Sequence, residues 1–251
     1  MSVALSLAIL LLVTLLVDGM RKRGQSPARG PDPIDQITAT GRRLYTRRNF
    51  IKLLGATAGA SVITYSGLDE ALHELHRDQV RGTGSNRIAH VAKGFGETEI
   101  TAFPLIYILA DWALPGTAVG RWGRQCFTAT ATGLPVLWSW QRALGASRPS
   151  DDKEWGPRYR PFNDENSVSG HCFLGAIPFL VAAHEMGHPI AAWSMRALSP
   201  LTGWSRLNDE RHYLSQVLLG YLLALEATRA ADLSPAVTAL PTSREDAPEA
   251  A

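Results

Sequence analysis

The chain has 251 residues, a formal net charge of +2 and two cysteines, Cys126 and Cys172. That length allows one domain plus appendages. The near-zero charge excludes a nucleic-acid partner with a whole-chain electrostatic footprint, and two cysteines exclude a disulfide framework or a cysteine-rich zinc cluster.

Residues 1–20 form an N-terminal hydrophobic segment. Val3 to Val17 is a continuous apolar run, ended by Asp18 and then Arg21-Lys22-Arg23. It lies at the short end of what a bilayer span needs, about 20 residues. The basic cluster comes after the run, which places the next stretch in the cytoplasm by the positive-inside rule. Residues 21–45 read as a basic linker. Thr46-Arg47-Arg48-Asn49-Phe50-Ile51-Lys52 then leads into a weakly apolar stretch. Over residues 46–67 this predicts a twin-arginine-like export signal, or a membrane helix with the arginines as its cytoplasmic flank. Either reading moves the chain beyond residue 67 out of the cytoplasm.

Residues 95–231 read as the catalytic domain. Its apolar segments lie near 100–119, 125–144, 172–187, 190–204 and 213–228. They are rich in alanine and leucine and lack strand alternation, so all are expected to be helices. Gly and Pro punctuate the joints. The tail, 232–251, is rich in Ala, Pro, Ser and Glu and is expected to be disordered. If each apolar segment is a crossing, starting with Arg47-Arg48 inside, the stretches near Arg148, Ser169 and Ser205 all fall on the outer face. Against spans stand a mean hydropathy of -0.04 and the charges Asp111, Arg196 and Glu226 in or near the segments, which are expensive in lipid. The competing expectation uses the same segments as core helices of a folded, exported enzyme. The expected fold class is an all-α helical bundle, membrane-associated.

Three short stretches carry chemistry: Arg148-Pro149, Ser169-Gly170-His171, and Ser205-Arg206 with His212 a turn or two beyond. A phosphoryl group in transfer spreads negative charge over three oxygens, so catalysis is mostly positioning and charge neutralisation. Arg148 and Arg206 offer planar forks that never lose their charge. Ser169 can donate a hydroxyl hydrogen bond, and Gly170 lets the backbone approach an anion. A helix starting there would aim free N–H groups at it. One neutral imidazole can attack phosphorus while the other protonates the leaving oxygen.

In this order, the three stretches resemble the type 2 phosphatidic acid phosphatase and vanadium haloperoxidase superfamily. The resemblance spans roughly residues 95 to 230, with Trp204 before Ser205 and Gly220 after the third stretch. It implies that His212 is the nucleophile and forms a phosphohistidine, and that His171 is the general acid. It also implies that Arg148, Arg206, Ser169 and the Gly170 amide hold the phosphate oxygens. The family lysine falls at Gln141, which joins the phosphate-binding set. The family proline falls at Val168. The aspartate that orients the nucleophile falls at Gln216, whose carbonyl can accept the imidazole N–H but supplies no charge.

Two rivals compete. Lys153 with Arg160-Pro161 matches the lysine form of the first stretch, but Arg148-Pro149 comes directly after a hydrophobic segment, as suits a motif at a helix end. His184-Glu185-Met186-Gly187-His188 is a zinc-protease word, with both histidines on one helical face. Pro189 would break that helix, and a polar helix end is the plainer reading. Cys172 reads as a small buried side chain.

The expected function is hydrolysis of a phosphomonoester or diphosphate, with a lipid-linked substrate allowed. The site would face the periplasm or exterior at a bacterial inner membrane. No metal or other cofactor is expected, and vanadate would act as an inhibitor. The alternatives are a vanadate-dependent haloperoxidase, with vanadate as cofactor, a zinc metalloprotease, and a catalytically weakened phosphate- or lipid-binding protein.

Overall fold

A computed structural model describes residues 32–97, 102–151 and 153–232. The apolar run at 3–17, the basic cluster at 21–23 and the tail from 233 lie outside the described residues. Within them every regular element is an α-helix, apart from a short 3-10 turn at Pro149–Asp151. In chain order these are α1 (Pro33–Leu44), α2 (Arg47–Tyr65), α3 (Leu68–Gln79), α4 (Thr83–Glu97), α5 (Ala102–Ala113), α6 (Ala118–Leu144), α7 (Gly170–Glu185), α8 (Pro189–Leu198), α9 (Leu201–Asn208) and α10 (Leu214–Ala231).

Local chemistry sets the boundaries. Asp32 accepts the Ile34 N–H at 2.8 Å with Pro33 in the first turn of α1. Thr46 and Thr117 cap α2 and α6 in the same manner, through Asn49 and Gly120. Each cap satisfies an amide that the first helical turn leaves open. Gly145 ends α6 in the left-handed region, at φ 57°.

α7 is the hub. It packs against α4, α6, α8, α9 and α10. Phe173, Ala176, Ile177, Leu180 and Val181 are all buried, and a helix apolar on every side belongs at the centre of a bundle. α1 lies on α6 and α10, and α2 lies on α10. The helical unit therefore takes in residues well upstream of 95. The Arg47-Arg48 stretch opens α2, which is tied to α10 by Lys52–Glu226 at 2.7 Å. The Trp140 indole N–H reaches Thr57 from α6 at 2.9 Å.

Among the described residues no helix is long and apolar enough to span a membrane. At about 1.5 Å per residue, α5 and α8 are too short for a core about 30 Å thick. The segment predicted at 190–204 is two helices, α8 and α9, which meet at Ser199-Pro200. α6 has the length, with 27 residues. Its inward face, however, carries Arg124, Gln125, Thr128 and Thr132, all buried, and Arg124 is paired with Asp111 at 2.9 Å. α7 is covered by its neighbours, whereas α5 leaves Leu105, Leu109 and Trp112 exposed.

α6 and α7 are in tight contact at Gly133, where an added Cβ would lie 2.4 Å from Cζ of the fully buried Phe173. We expect Gly133→Ala to destabilise by about 1–3 kcal/mol, since overpacking outweighs the roughly 1 kcal/mol gained in helix propensity. Denaturant unfolding of Gly133→Ala, Phe173→Leu and the double variant should show the double costing less than the sum of the singles, because the smaller side chain relieves the clash. Additive costs would contradict the contact.

Candidate functional site

The three stretches come together at one end of α10. The first is presented by the loop that leaves α6. Ser167 Oγ donates to the Gln141 carbonyl at 3.1 Å, and the Asn166 N–H donates to the Ala146 carbonyl at 3.3 Å. These bonds fold the 145–169 loop back onto the helix end. Arg148 Nε donates to Asn166 Oδ1 at 2.8 Å, which orients the guanidinium. Gln141 Nε2 donates to the Val168 carbonyl at 2.7 Å. This neutral side chain thus braces the backbone next to Ser169.

Ser169 caps α7, its Oγ accepting the Cys172 N–H at 3.3 Å. Its own N–H donates to the Gln216 carbonyl at 2.9 Å. The Ser169 backbone lies so close to α10 that a Cβ on Gly220 would sit 2.3 Å from the Ser169 oxygen. On the opposite side, a Cβ on Gly96 of α4 would sit 2.3 Å from the His171 carbonyl oxygen. Two glycines therefore let α10 and α4 grip the start of α7 from both sides. Gly170 is different: a Cβ there would meet only Leu137 and Gln141 side-chain atoms, at 3.5 and 3.6 Å. No protein neighbour requires its missing side chain.

The third stretch runs from α9 into α10. Arg206 is 3 % exposed, and its Nη2 lies 3.8 Å from Asp209 Oδ2. The Arg206 carbonyl accepts the N–H groups of Arg211 and His212, at 2.9 and 3.3 Å. The turn passes through Glu210 at φ 56°, a left-handed conformation that is strained for a non-glycine residue. Glu210 is held there by Arg81 at 2.8 Å, and its carbonyl accepts the Ser150 N–H at 3.1 Å.

His212 is 4 % exposed, and its Nδ1 lies 2.9 Å from Gln216 Oε1. Gln216 is fully buried. Its Oε1 also accepts the Tyr213 N–H at 3.2 Å, and its Nε2 donates to the Ser147 carbonyl at 2.9 Å. A backbone N–H can only donate and a backbone carbonyl can only accept, so the two ends of the amide are identified. The oxygen faces His212. Nδ1 must therefore carry the proton, and Nε2 keeps its lone pair. Burial pushes the His212 pKa down to about 3, the Gln216 bond acts the other way, and the charges of His171, Arg148 and Arg206 push it further down. His212 is neutral at physiological pH. His171, Arg148 and Arg206 thus all act electrostatically on this imidazole.

Asp69 was not legible as part of this neighbourhood. It is 1 % exposed and accepts from the Ser215 N–H at 2.9 Å, Ser215 Oγ at 2.5 Å and Thr64 Oγ1 at 3.0 Å. A carboxylate from the α2–α3 junction thus anchors the first turn of α10, the turn that carries Gln216. In sequence Asp69 reads only as an acidic residue in the first turn of its own helix. A cavity of about 210 Å³ lies between α3 and the His212 turn, lined by Asp69, His73, His76, His212 and Tyr213 among others.

The rival stretches have partners of their own. Lys153 is paired with Asp164 at 2.8 Å, and both it and Arg160 lie over the Trp155 ring, at 5.1 and 4.8 Å. The zinc-protease word is not one helix: α7 stops at Glu185 and His188 caps α8. The Glu185 carboxylate is held by Arg121 at 2.8 Å and Gln125 at 2.6 Å. Pro189 starts a new helix there, so His184 and His188 do not share one helical face. Among the described residues no group of three or more His, Cys, Asp or Glu side chains could hold a metal. Cys172 is fully buried, and burial pushes its thiol up to about 12.

Comparison with protein-family models, with curated proteins and with solved structures finds no match.

The depressed pKa of His212 makes stability depend on pH. Between about 6.5 and 3 the unfolded chain holds a proton on this imidazole that the folded chain does not. The stabilisation is complete above about pH 6.5 and is lost as the pH falls. Between about pH 7 and 4.5 this one group accounts for about 3 kcal/mol. We expect the parent to lose that much more unfolding free energy across the interval than His212→Gln does. Equal losses would show that His212 is not held neutral by the fold.

Proposed function

We propose that the chain is a phosphatase that hydrolyses a phosphomonoester or diphosphate through a phosphohistidine at His212. The observation that carries this reading is the Gln216 amide, whose backbone partners leave the His212 Nε2 lone pair as the nucleophile beside two arginines. The resemblance in sequence supplies the reaction class, and the convergence of the three stretches supports it.

In the proposed reaction, Arg148, Arg206 and the amides at the start of α7 hold the non-bridging oxygens. The Ser169 hydroxyl oxygen accepts the Cys172 N–H, so its hydrogen is available to the phosphate. His212 Nε2 attacks phosphorus and forms the P–N bond as the bond to the leaving oxygen breaks. The His171 imidazolium protonates that oxygen. The resulting neutral His171 takes a proton from water, the hydroxide attacks phosphorus, and the P–N bond breaks to release phosphate and neutral His212. Gln216 keeps its hydrogen bond to Nδ1 throughout. It offers a dipole, where an aspartate would offer a charge, to the cationic phosphohistidine.

A second reading has its own observation. Gln141 and Gln216 are both neutral and both hydrogen-bonded to backbone, which suits a weakened enzyme that retains a phosphate or a lipid phosphate without fast turnover. A haloperoxidase would use the same cradle for vanadate, and vanadate competes with phosphate under the phosphatase reading. An extracytoplasmic location rests on the Thr46–Lys52 stretch, and a lipid-linked substrate remains part of the proposal.

Purified full-length chain assayed on soluble and lipid phosphates should release phosphate and be inhibited by vanadate. His212→Ala should abolish release while leaving helical content unchanged. Binding of phosphate with no release from any substrate would favour the weakened binder, and full activity in His212→Ala would remove the nucleophile.

Gln216→Leu leaves the Nδ1–H, the Tyr213 N–H and the Ser147 carbonyl without this partner. We expect stability to fall by about 1–3 kcal/mol for each group left unsatisfied. We also expect kcat to fall about 10³-fold or more, as when an orienting partner is lost and the wrong tautomer forms. Parent-like kcat in Gln216→Leu would show that the amide does not set the tautomer.

A further inference from the structure

A second cavity, of about 850 Å³, lies between the start of α2, the Pro135–Trp140 stretch of α6 and the last turns of α10. None of its lining residues belongs to the cradle around His212. Its walls are apolar and aromatic, with Phe50, Leu53, Val136, Trp140, Leu222 and Leu223 prominent. Phe50 and Trp140 meet edge to face at 5.9 Å. The cavity is half open to solvent, with Phe50 and Leu222 exposed at its edge, and its volume falls in the range of small-molecule sites, about 300 to 1,000 Å³.

The mouth is cationic. Between residues 36 and 68 the chain carries Arg42, Arg43, Arg47, Arg48 and Lys52 and no acidic residue. Arg47 and Lys52 line the cavity directly. The first turn of α2 has no acid to offset the positive end of its dipole. The lone acid of the lining, Glu226, is neutralised by Lys52 and Arg229, each at 2.7 Å. An apolar chamber with an excess of positive charge at its entrance calls for a ligand with an alkyl chain and an anionic head.

We infer that this cavity binds a single-chain amphiphilic anion, a fatty-acid-like carboxylate or alkyl phosphate, with its head toward Arg47 and its chain between Phe50, Trp140 and Leu222. The twin-arginine-like stretch is thereby the entrance of a ligand site. This site is separate from the one proposed for phosphate chemistry and does not depend on it.

The test is calorimetric titration of the full-length chain with laurate below its micelle concentration, beside dodecyltrimethylammonium as the cationic counterpart. One laurate should bind per chain, at least about tenfold more tightly than the cation. Arg47→Glu and Leu222→Glu change exposed side chains, and each should weaken laurate about tenfold or more. Inorganic phosphate should not displace it. Equal affinity for the cation, indifference to both substitutions, or displacement by phosphate would overturn the proposal. So would absence of binding in the parent. If binding then appeared in Leu11→Lys/Val13→Lys, the chain's own apolar run at 3–17 would be identified as the occupant instead.

Discussion

The site depends on one buried amide. Gln216 touches all three stretches that carry chemistry: its Oε1 accepts from His212 and Tyr213, its Nε2 donates to Ser147 beside Arg148, and its backbone carbonyl accepts from Ser169. A buried polar group costs free energy unless it is satisfied, and a fully satisfied network in a low-dielectric interior is stiff. Gln216 therefore cannot rotate its amide without breaking two backbone bonds, and the protonation pattern of His212 is a consequence of that constraint. Position N3 of α10 suits this task, because a side chain there reaches back to the N-cap amide.

Other features keep that arrangement in place. Gly220 and Gly96 allow α10 and α4 to close on the backbone at Ser169 and His171. Asp69 holds the first turn of α10 from the α2–α3 junction. The strained Glu210 turn is braced by Arg81 and Ser150. The helices before residue 95 thus contribute to the geometry of a site whose motif residues all lie beyond it. The orienting position holds no carboxylate, and the nearby acid, Asp69, binds Ser215 one residue away, where it acts on the helix and not on the imidazole.

The sequence made some of this legible and concealed the rest for physical reasons. The helical class was readable from segments such as 172–187, which lack strand alternation. Membrane crossings and core helices could not be told apart. A central helix such as α7, apolar all round because five helices cover it, has the same composition as a lipid-facing one. The polar stripe of α6, from Arg124 to Thr132, distinguishes them only once its partners are known, Asp111 for Arg124 and Glu185 for Gln125. Asp69 was concealed because its partner, Ser215, is remote in sequence and its local setting is an ordinary first turn. The break at Pro189 was legible, since proline both ends one helix and starts another.

The central claim is that Gln216 leaves Nε2 of His212 as the attacking atom, and the most direct measurement is the chemical form of the trapped intermediate. Full-length chain mixed with a phosphate-labelled substrate, quenched in alkali to preserve phosphohistidine, and digested for mass spectrometry and phosphorus NMR would give both the residue and the nitrogen. Phosphate is expected on Nε2 of His212. Phosphate on Nδ1, on His171 or on any other residue, or hydrolysis with no covalent intermediate, would contradict it.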